Sequence, residues 1–361
     1  MVDELTLKNH FSGKVVLVTG NTGFKGSWLT MVLKKLDAQV IGFSDRILSS
    51  PSMYQELHLD QDVEQVIADI RDYDTLKRTI LDYRPDIIFH LAAQALVRPS
   101  YKEPKTTFEI NVLGMINLLE SLREIRHETT VVLVTSDKVY RNDEVVYGYR
   151  ETDILGGIDP YSASKGAAEI CANSYINAYL SALPNIKVVI ARAGNVVGGG
   201  DWATDRLVPD LVRALVNKRR LTIRSPQATR PWQHVLDPVL AYIGLAYEVD
   251  KNAKLSGEAF NFGPTVTESM TVENFVIALS AHLDACVQDI VALEEYKDPF
   301  YEAKLLALNC DKAYNLLRWK PILTCNEALK LTSDWYKSYL TKKCLREITQ
   351  EQINSVFDRV W

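Results

Sequence analysis

A short apolar run that ends in a glycine-rich turn constrains the fold of this chain more than any other feature. Residues 14–19 read Lys-Val-Val-Leu-Val-Thr, and Gly20, Gly23 and Gly26 follow them at three-residue spacing. An amphipathic stretch over 27–36 comes directly afterwards. Glycine allows a tight turn and close approach of phosphate to the backbone, and the N-terminus of the following helix attracts negative charge. The order of strand, turn and helix therefore predicts a nucleotide-binding unit.

The alternation of strand and helix continues through the first half of the chain. The apolar runs lack a polar residue at every second position, which is typical of strands buried on both faces of a parallel sheet. We therefore expect a doubly wound α/β fold of the Rossmann type, with ligands bound at the carboxyl ends of the strands. The predicted strands are 14–19, 39–43, 65–69, 86–90, 130–135 and 187–191, and the predicted helices between them include 73–83, 106–124 and 162–182.

The pattern of the chain changes after about residue 195. Glycine, proline and tryptophan punctuate short segments up to Pro264, and helical patterns follow at 271–284 and 326–341. No linker rich in serine or glycine separates the two halves. We predict a dinucleotide-binding domain over 1–194 and a smaller, mostly helical substrate lobe over 195–361, with some segments of the second half returning to the first domain.

Composition excludes several classes of function. The 41 Lys and Arg residues against 46 Asp and Glu leave a net charge of −5, which argues against a nucleic-acid partner but allows a local basic pocket. No run of about 18 apolar residues occurs, so we expect no membrane span and no membrane partner. The five cysteines are scattered and the six histidines lack ligand spacing. These patterns predict a cytoplasmic protein with reduced thiols and no metal site.

Polar residues near the ends of the second and third predicted strands indicate the cofactor. Asp45 is placed to bind a ribose hydroxyl, which favours NAD over NADP, and Ser44 shares this position. Arg46 keeps NADP open as an alternative, because an arginine there accepts a 2′-phosphate. Asp69 and Ile70 are candidates for contact with adenine, although Asp69 is as easily explained as a helix cap. The other loop residues expected at the cofactor are Asn21, Thr22, Phe24 and Lys25, with a solvated lysine as the alternative for Lys25.

Tyr161 and Lys165 form the second strong signal, at positions i and i+4 of a predicted helix. This spacing places both side chains on one helix face. A cation beside a phenol stabilises the phenolate and lowers its pKa from the ordinary value of about 10. Tyr161 can then take the proton from a substrate hydroxyl while hydride leaves the same carbon.

Together, these motifs resemble the extended short-chain dehydrogenase/reductase superfamily, whose members modify nucleotide sugars. The resemblance covers most of the chain and includes His-Leu-Ala-Ala-Gln at 90–94, Thr-Ser-Asp-Lys-Val-Tyr at 135–140 and Ala-Arg-x-x-Asn-Val at 191–196. It implies that Ser136 binds the oxygen being oxidised and that Lys165 also binds the nicotinamide ribose. It further implies cofactor contacts from Leu91, Ala92 and Ala93, and substrate contacts from Gln94 and His234.

Asp137 and Lys138 set this chain apart from the epimerases of the superfamily. The resemblance implies a 4,6-dehydratase, because these enzymes carry two extra ionisable residues beside the serine or threonine. Oxidation at C4 makes the C5 proton acidic, water then leaves across C5 and C6, and the hydride returns to C6. We assign Asp137 as the acid at C6 and Lys138 as the base at C5, for which the lysine must be neutral. A surface Asp-Lys pair in a turn is the alternative.

The Asp-Lys pair, with the segments 23–28 and 230–238, is similar to the CDP-glucose 4,6-dehydratases of deoxysugar biosynthesis. The cytidine preference rests on this resemblance alone. Arginines among the turns of the second half are candidates for the diphosphate, although each one taken singly favours a structural or solvated role. Trp28, Trp202 and Trp232 suit core packing and base stacking equally. The substrate candidates beside Gln94 and His234 are Arg192, Asn195, Arg206, Arg224 and Arg230.

Two other functions compete with this interpretation. One is a nucleotide-sugar 4-epimerase, or a 4,6-dehydratase for another nucleoside diphosphate hexose. The other is a non-catalytic NAD-binding protein, against which the set of Ser136, Tyr161 and Lys165 counts. The resemblance also implies a homodimer or homotetramer that pairs through helices including 162–182.

Overall fold

Seven parallel strands form the central sheet of the computed structural model, which describes residues 3–47, 49–223, 225–264, 270–286, 291–292, 305–357 and 359. Their order is β11-β6-β5-β4-β1-β2-β3, so the direction of winding reverses between β1 and β4. Ligands of doubly wound sheets bind at such a reversal. The strands are β1 (Val15–Thr19), β2 (Gln39–Ser44), β3 (Glu64–Ile67), β4 (Ile87–His90), β5 (Thr129–Val134), β6 (Ile186–Ala193) and β11 (Ala259–Phe262).

The strands read as continuous apolar runs because helices cover both faces of the sheet. Successive side chains of a strand point to opposite faces. Val16 and Val18 of β1 therefore join one core cluster, while Leu17 joins the cluster on the other face, and all three are buried. This burial confirms the predicted doubly wound α/β fold.

The helices follow the predicted alternation, and most bounds differ from the predicted ones by a few residues. The helices of the first half are α1 (Glu4–Phe11), α2 (Phe24–Lys35), α3 (Met53–Glu56), α4 (Tyr73–Tyr83), α5 (Val97–Lys102), α6 (Pro104–Phe108), α7 (Gly114–Leu122) and α8 (Pro160–Ala178). Those of the second half are α9 (Leu207–Val216), α10 (Leu236–Lys251), α11 (Val272–His282), α12 (Asp311–Leu317), α13 (Cys325–Leu340) and α14 (Leu345–Phe357).

The helix predicted over 106–124 is interrupted by a wider π turn over Glu109–Leu113. Asn111 in this turn is buried, and its amide donates to the hydroxyl of Ser164 on α8 at 2.8 Å. The same side chain accepts a hydrogen bond from the backbone of Gln94 at 2.8 Å. The turn therefore ties the helix to α8 and to the segment after β4.

The second half of the chain supplies the seventh strand and several short strand pairs. β11 pairs with β6 in parallel, with Ala259 opposite Ile190. The short strands are β7 (Val196–Val197), β8 (Leu221–Thr222), β9 (Thr229–Arg230), β10 (Gln233–His234), β12 (Met270–Thr271) and β13 (Val291–Ala292). They pair as β7 with β10, β8 with β13 and β9 with β12.

Within the described part of the chain, no helix combines the length and the apolar character that a bilayer span requires. The same residues contain no group of three or more His, Cys, Asp or Glu side chains arranged to hold a metal ion.

Candidate active site

A cleft of about 810 Å³ opens at the carboxyl ends of the strands, where the winding of the sheet reverses. Its wall combines the glycine turn, the ends of β2, β4 and β5, the start of α8 and the segment that leads into α9. The predicted site residues that line it are Gly20, Thr22, Gly23, Phe24, Lys25, Gly26, Ser44, Asp45, Asp69, Ile70, Leu91, Ala92, Ala93, Gln94, Ser136, Asp137, Lys138, Tyr161, Lys165, Asn195, Arg206 and Arg230.

The glycine turn can exist in this form only with glycine at its first and last positions. Gly20 has a φ of +75°, and a Cβ there would lie 2.8 Å from the backbone nitrogen of Ala92. A Cβ on Gly26 would overlap the carbonyl of Gly20. Gly23 caps α2 without a side-chain hydrogen bond. The turn thus presents bare backbone and a helix N-terminus to the cleft, which fits the diphosphate of a dinucleotide.

Asn21 lies beneath the glycine turn and does not line the cleft. It is fully buried, and its side-chain oxygen accepts a hydrogen bond from the hydroxyl of Ser44 at 2.8 Å. Its amide donates to the side chain of Gln65 on β3 at 2.6 Å. Asn21 therefore supports the predicted ribose-binding residue Ser44 from behind. Gln65 thereby links β3 to the turn that follows β1. No local sequence signal indicated this residue.

The two acidic residues predicted to bind the cofactor differ in how firmly neighbouring groups hold their carboxylates. Asp45 lines the cleft beside Arg46, and their charged groups are 3.5 Å apart. The Asp69 carboxylate accepts hydrogen bonds from the backbone and the guanidinium of Arg71, which lower its pKa. Asp45 therefore keeps the better position for a ribose, whereas Asp69 is held in a local turn. The helix cap of α4 is the neighbouring Asp72.

The end of β5 brings three predicted catalytic residues into one tight turn. Ser136 donates to Oδ1 of Asp137 at 2.9 Å and accepts from the backbone nitrogen of Lys138 at 3.2 Å. Asp137 is 2% exposed, and Lys138 is half-buried. No described carboxylate lies within ion-pair distance of the Lys138 amino group. The Asp-Lys pair is thus part of the cleft wall, which counts against the solvated surface turn.

Tyr161 and Lys165 face the same cleft from the first turns of α8. The backbone nitrogen of Tyr161 donates to Ser100 on α5 at 3.1 Å, and Asp159 caps the helix. Burial raises the pKa of Tyr161 to about 12, and the neighbouring hydroxyl of Ser136 and the charge of Arg206 oppose that rise. Burial lowers the pKa of Lys165 to about 8, and the charge of Glu169 opposes this.

Besides Lys138 and Lys165, three of the predicted cofactor- or substrate-binding cations line the cleft. Lys25 is half-buried, and burial together with the charges of Arg206 and Lys165 lowers its pKa to about 8. Arg206 forms an ion pair with Asp201 at 3.0 Å. Arg230 is 5% exposed and donates to the carbonyl of Thr229. Among the described residues, the cleft wall carries seven Lys and Arg side chains and seven Asp side chains. The cations available to two diphosphate ligands are therefore matched in number by carboxylates.

The structure does not bring Arg192 or His234 into the cleft wall. β6 continues to Ala193, beyond the predicted end at residue 191, so Arg192 still points into the interior and pairs with Glu169. His234 is fully buried, with its ring 5.6 Å from that of Trp28. Neither side chain is therefore placed at the cleft wall, where the substrate contact was predicted. Arg224 lies outside the described residues.

Tertiary contacts add residues that the motifs did not indicate. Arg98 on α5 and Asp205 before α9 both line the cleft, with their charged atoms 3.5 Å apart. Trp202 and Trp232 also line the cleft, and Trp232 stacks on Phe275 with ring centroids 4.1 Å apart. Trp28 is fully buried in the core. Because the ion pair joins segments distant in sequence, no periodicity or spacing could have indicated it.

Comparisons with known proteins agree with this architecture. A family model described as GDP-mannose 4,6 dehydratase matches residues 17–332. CDP-glucose 4,6-dehydratase of Salmonella typhimurium is 40% identical over 337 residues, which cover 92% of this chain and 93% of that protein.

Solved structures show the same fold. An epimerase from Methanothermobacter thermautotrophicus superposes with a TM-score of 0.79 at 27% identity, covering 95% of this chain and 97% of that one. dTDP-glucose 4,6-dehydratase from Bacillus anthracis, solved in complex with NAD, superposes with a TM-score of 0.73 at 23% identity, covering 92% of this chain and 99% of that one. These matches confirm the predicted resemblance, and the chain belongs to the GDP-mannose 4,6 dehydratase family.

Proposed function

We propose that this chain is an NAD-dependent lyase that converts CDP-glucose to CDP-4-keto-6-deoxyglucose. The observation that carries the proposal is the turn at the end of β5, where Ser136, Asp137 and Lys138 line one cleft with Tyr161. An epimerisation at C4 needs the tyrosine and the serine, and it has no use for a further acid and base. The 40% identity to a CDP-glucose 4,6-dehydratase supports the same substrate.

The residues present fit NAD as the cofactor. The glycine turn would hold the diphosphate, Ser44 and Asp45 a ribose, and Tyr161 with Lys165 the nicotinamide end. When bound, NAD supplies the redox chemistry by accepting a hydride from C4 of the sugar and returning one to C6.

The side chains then divide the proton transfers. Tyr161, as the phenolate, accepts the proton of the C4 hydroxyl while Ser136 orients that oxygen. Lys138, as the neutral amine, takes the proton from C5 of the 4-keto sugar, and as the ammonium it returns a proton to C5 when C6 is reduced. Asp137, as the carboxylic acid, protonates the C6 hydroxyl so that it leaves as water. The net reaction removes one water and is redox-neutral.

The second lobe supplies the charge for the nucleotide diphosphate. Arg206 and Arg230 line the cleft from the segments around α9 and β9. Guanidinium groups bind diphosphate oxygens with two parallel hydrogen bonds. Arg98, the ion-pair partner of Asp205, joins them at the cleft wall.

We also propose that the chain works as a homodimer or homotetramer in the cytoplasm. Ile170 and Tyr179 at α8, and Phe108 and Leu113 between α6 and α7, are exposed apolar side chains. They support pairing through these helices, which light scattering would test. The five cysteines are present as thiols and not as disulfides, as in a reducing compartment.

A substrate panel tests the proposed reaction. The enzyme is incubated with NAD or NADP and with CDP-, dTDP-, GDP- or UDP-glucose, and product mass and the proton NMR spectrum of the sugar are recorded. We expect loss of 18 mass units (one water) from CDP-glucose, with NAD preferred. Formation of CDP-galactose instead would favour the epimerase, and dehydration of another nucleotide sugar would overturn the cytidine preference.

A further inference from the structure

A buried carboxylate lies one helical turn after Lys165 and has no contact with the cleft. Glu169 on α8 is fully buried and accepts hydrogen bonds from the guanidinium of Arg192, one of them at 2.8 Å. Its second oxygen accepts from the hydroxyl of Thr135 at 3.0 Å. Thr135 directly precedes Ser136, so Glu169 holds the chain at the entry to the catalytic turn.

The partner of Glu169 holds the exit of the same turn. Arg192 on β6 donates to the hydroxyl of Tyr140 at 2.6 Å, and Tyr140 directly follows the turn Asp137–Val139. The Tyr140 hydroxyl in turn donates to the side-chain oxygen of Asn261 on β11 at 2.8 Å. One ion pair therefore connects both ends of the catalytic turn to α8, β6 and β11.

The helix that carries Tyr161 approaches this turn closely. A Cβ on Gly166 of α8 would lie 3.2 Å from the carbonyl of Val139. Any shift of the turn against α8 therefore changes the separation of Asp137 and Lys138 from Tyr161. Small misplacements of this kind are costly in catalysis.

We propose that Glu169 and Arg192 are positioning residues, which hold the turn 136–139 against Tyr161 and place a carboxylate one helical turn from Lys165. The inference rests on the proposed function and adds two residues to it. Buried ion pairs are weak evidence for stability, since apolar replacements are often as stable. The Glu169–Arg192 pair has a role besides packing, because it is hydrogen-bonded to both ends of the turn.

The charges around Lys165 determine the direction of the pH effect. Glu169 raises the pKa of Lys165, whereas burial lowers it. Without that carboxylate, Lys165 loses its proton at a lower pH, and the Tyr161 phenolate loses its neighbouring cation. The alkaline limb of activity then moves to lower pH. The other ionisable groups that interact electrostatically with Lys165 are His90 on β4 and Lys25 on α2. Those that interact with Tyr161 are Asp137, Asp159 and Arg206.

The test uses the double variant Glu169→Gln/Arg192→Gln, which removes both charges and leaves two amides. We expect kcat to fall by about 10²-fold with KM for CDP-glucose unchanged, because neither side chain touches the cleft. The alkaline limb should move to lower pH. Thr135→Val removes the hydrogen bond to Glu169, and Tyr140→Phe removes the two that join Tyr140 to Arg192 and Asn261. Neither variant changes a charge, and each should lower kcat without moving that limb.

Asp250→Asn is the matched control, since Asp250 forms an ion pair with Lys187 at 3.1 Å at the opposite end of β6. It should lower Tm without moving the pH profile. A double variant with lowered Tm but wild-type kcat and pH profile would show that Glu169 and Arg192 are structural only.

A second readout separates this inference from the proposed reaction. The ultraviolet difference spectrum between each protein and its Tyr161→Phe form reports the ionisation of Tyr161 without any sugar. We expect Tyr161 to ionise at higher pH in the double variant. If the wild type fails to dehydrate CDP-glucose, the proposed function is wrong, and an unshifted tyrosine titration would independently overturn the positioning role.

Discussion

Ser136 donates its hydroxyl proton to Oδ1 of Asp137 across 2.9 Å, inside a turn where Asp137 is 2% exposed. The residue that we propose orients the C4 oxygen and the residue that we propose protonates the C6 oxygen are therefore neighbours in the chain and in the cleft. The second carboxylate oxygen of Asp137 lies close to Gly194, where a Cβ would be 3.4 Å from it. One oxygen of this carboxyl group is therefore held by Ser136, and the other lies against Gly194.

Asp137→Asn should separate oxidation from loss of water. Asparagine keeps an oxygen that accepts from Ser136 but has no acidic proton, so water loss should slow by about 10²- to 10⁴-fold. Exchange of the C5 proton with deuterated solvent should continue, because Lys138 is intact. Product mass and deuterium content measure the two steps, and full turnover in the variant would remove Asp137 from the role of acid.

Lys138→Ala should stop exchange at C5 and leave the first oxidation working. The expected loss of exchange is about 10²- to 10⁴-fold, since a general base is removed. Formation of reduced cofactor in a single turnover, followed by absorbance, should persist. Lys105→Ala is the control, because that lysine side chain is 90% exposed. Normal exchange without Lys138 would assign the lysine to structure.

Arg206→Gln should weaken substrate binding and change the pH profile. A hydrogen bond to a charged group contributes about 1.5–3 kcal/mol, so KM should rise about 10- to 100-fold. Arg206 lowers the pKa of Tyr161, and its loss should move the acidic limb to higher pH, because the base must be deprotonated. Arg123→Gln on the surface should change neither quantity. An unchanged KM would exclude Arg206 from the diphosphate site.

Asp237→Asn should change how stability depends on pH. Asp237 in α10 is fully buried and accepts from the backbone of Ile322 at 2.7 Å, and burial raises its pKa to about 7. A raised carboxyl pKa stabilises the fold at low pH, and this contribution is lost as pH rises through about 4 to 7. The loss is roughly 4 kcal/mol as an upper bound.

The measurement for Asp237 is Tm of both proteins at about pH 5 and about pH 8. Asparagine retains an acceptor oxygen for the backbone and has no charge to bury. The Tm of Asp237→Asn should therefore increase relative to that of the wild type as pH rises. Asp250→Asn should show the opposite trend, with its Tm falling relative to the wild type as pH rises. The reason is that Lys187 and the other cations around Asp250 lower its pKa. A difference that does not change with pH would contradict the raised pKa of Asp237.

Patterns confined to short stretches of sequence predicted much of the fold. The glycine spacing at 20–26 fits the observed turn because a positive φ at Gly20 and the contact of Gly26 with Gly20 both arise within seven residues. The predicted strand at 130–135 is observed as Thr129–Val134 because continuous apolar character reports burial on both faces. The prediction of one helix over 106–124 was wrong in its middle, where a π turn directs the side chain of Asn111 toward α8.

The sequence by itself determined the fold class, the glycine turn, the pair Tyr161 and Lys165, and the adjacent Asp137 and Lys138. Each of these depends on spacing along one strand, turn or helix. Only the tertiary structure decided that Arg192 turns inward to Glu169, that Lys25 points into the cleft, and that Arg98 meets Asp205. These contacts join segments that are distant in sequence. Their free energy depends on how the sheet, the helices and the second half of the chain pack, which local periodicity does not encode.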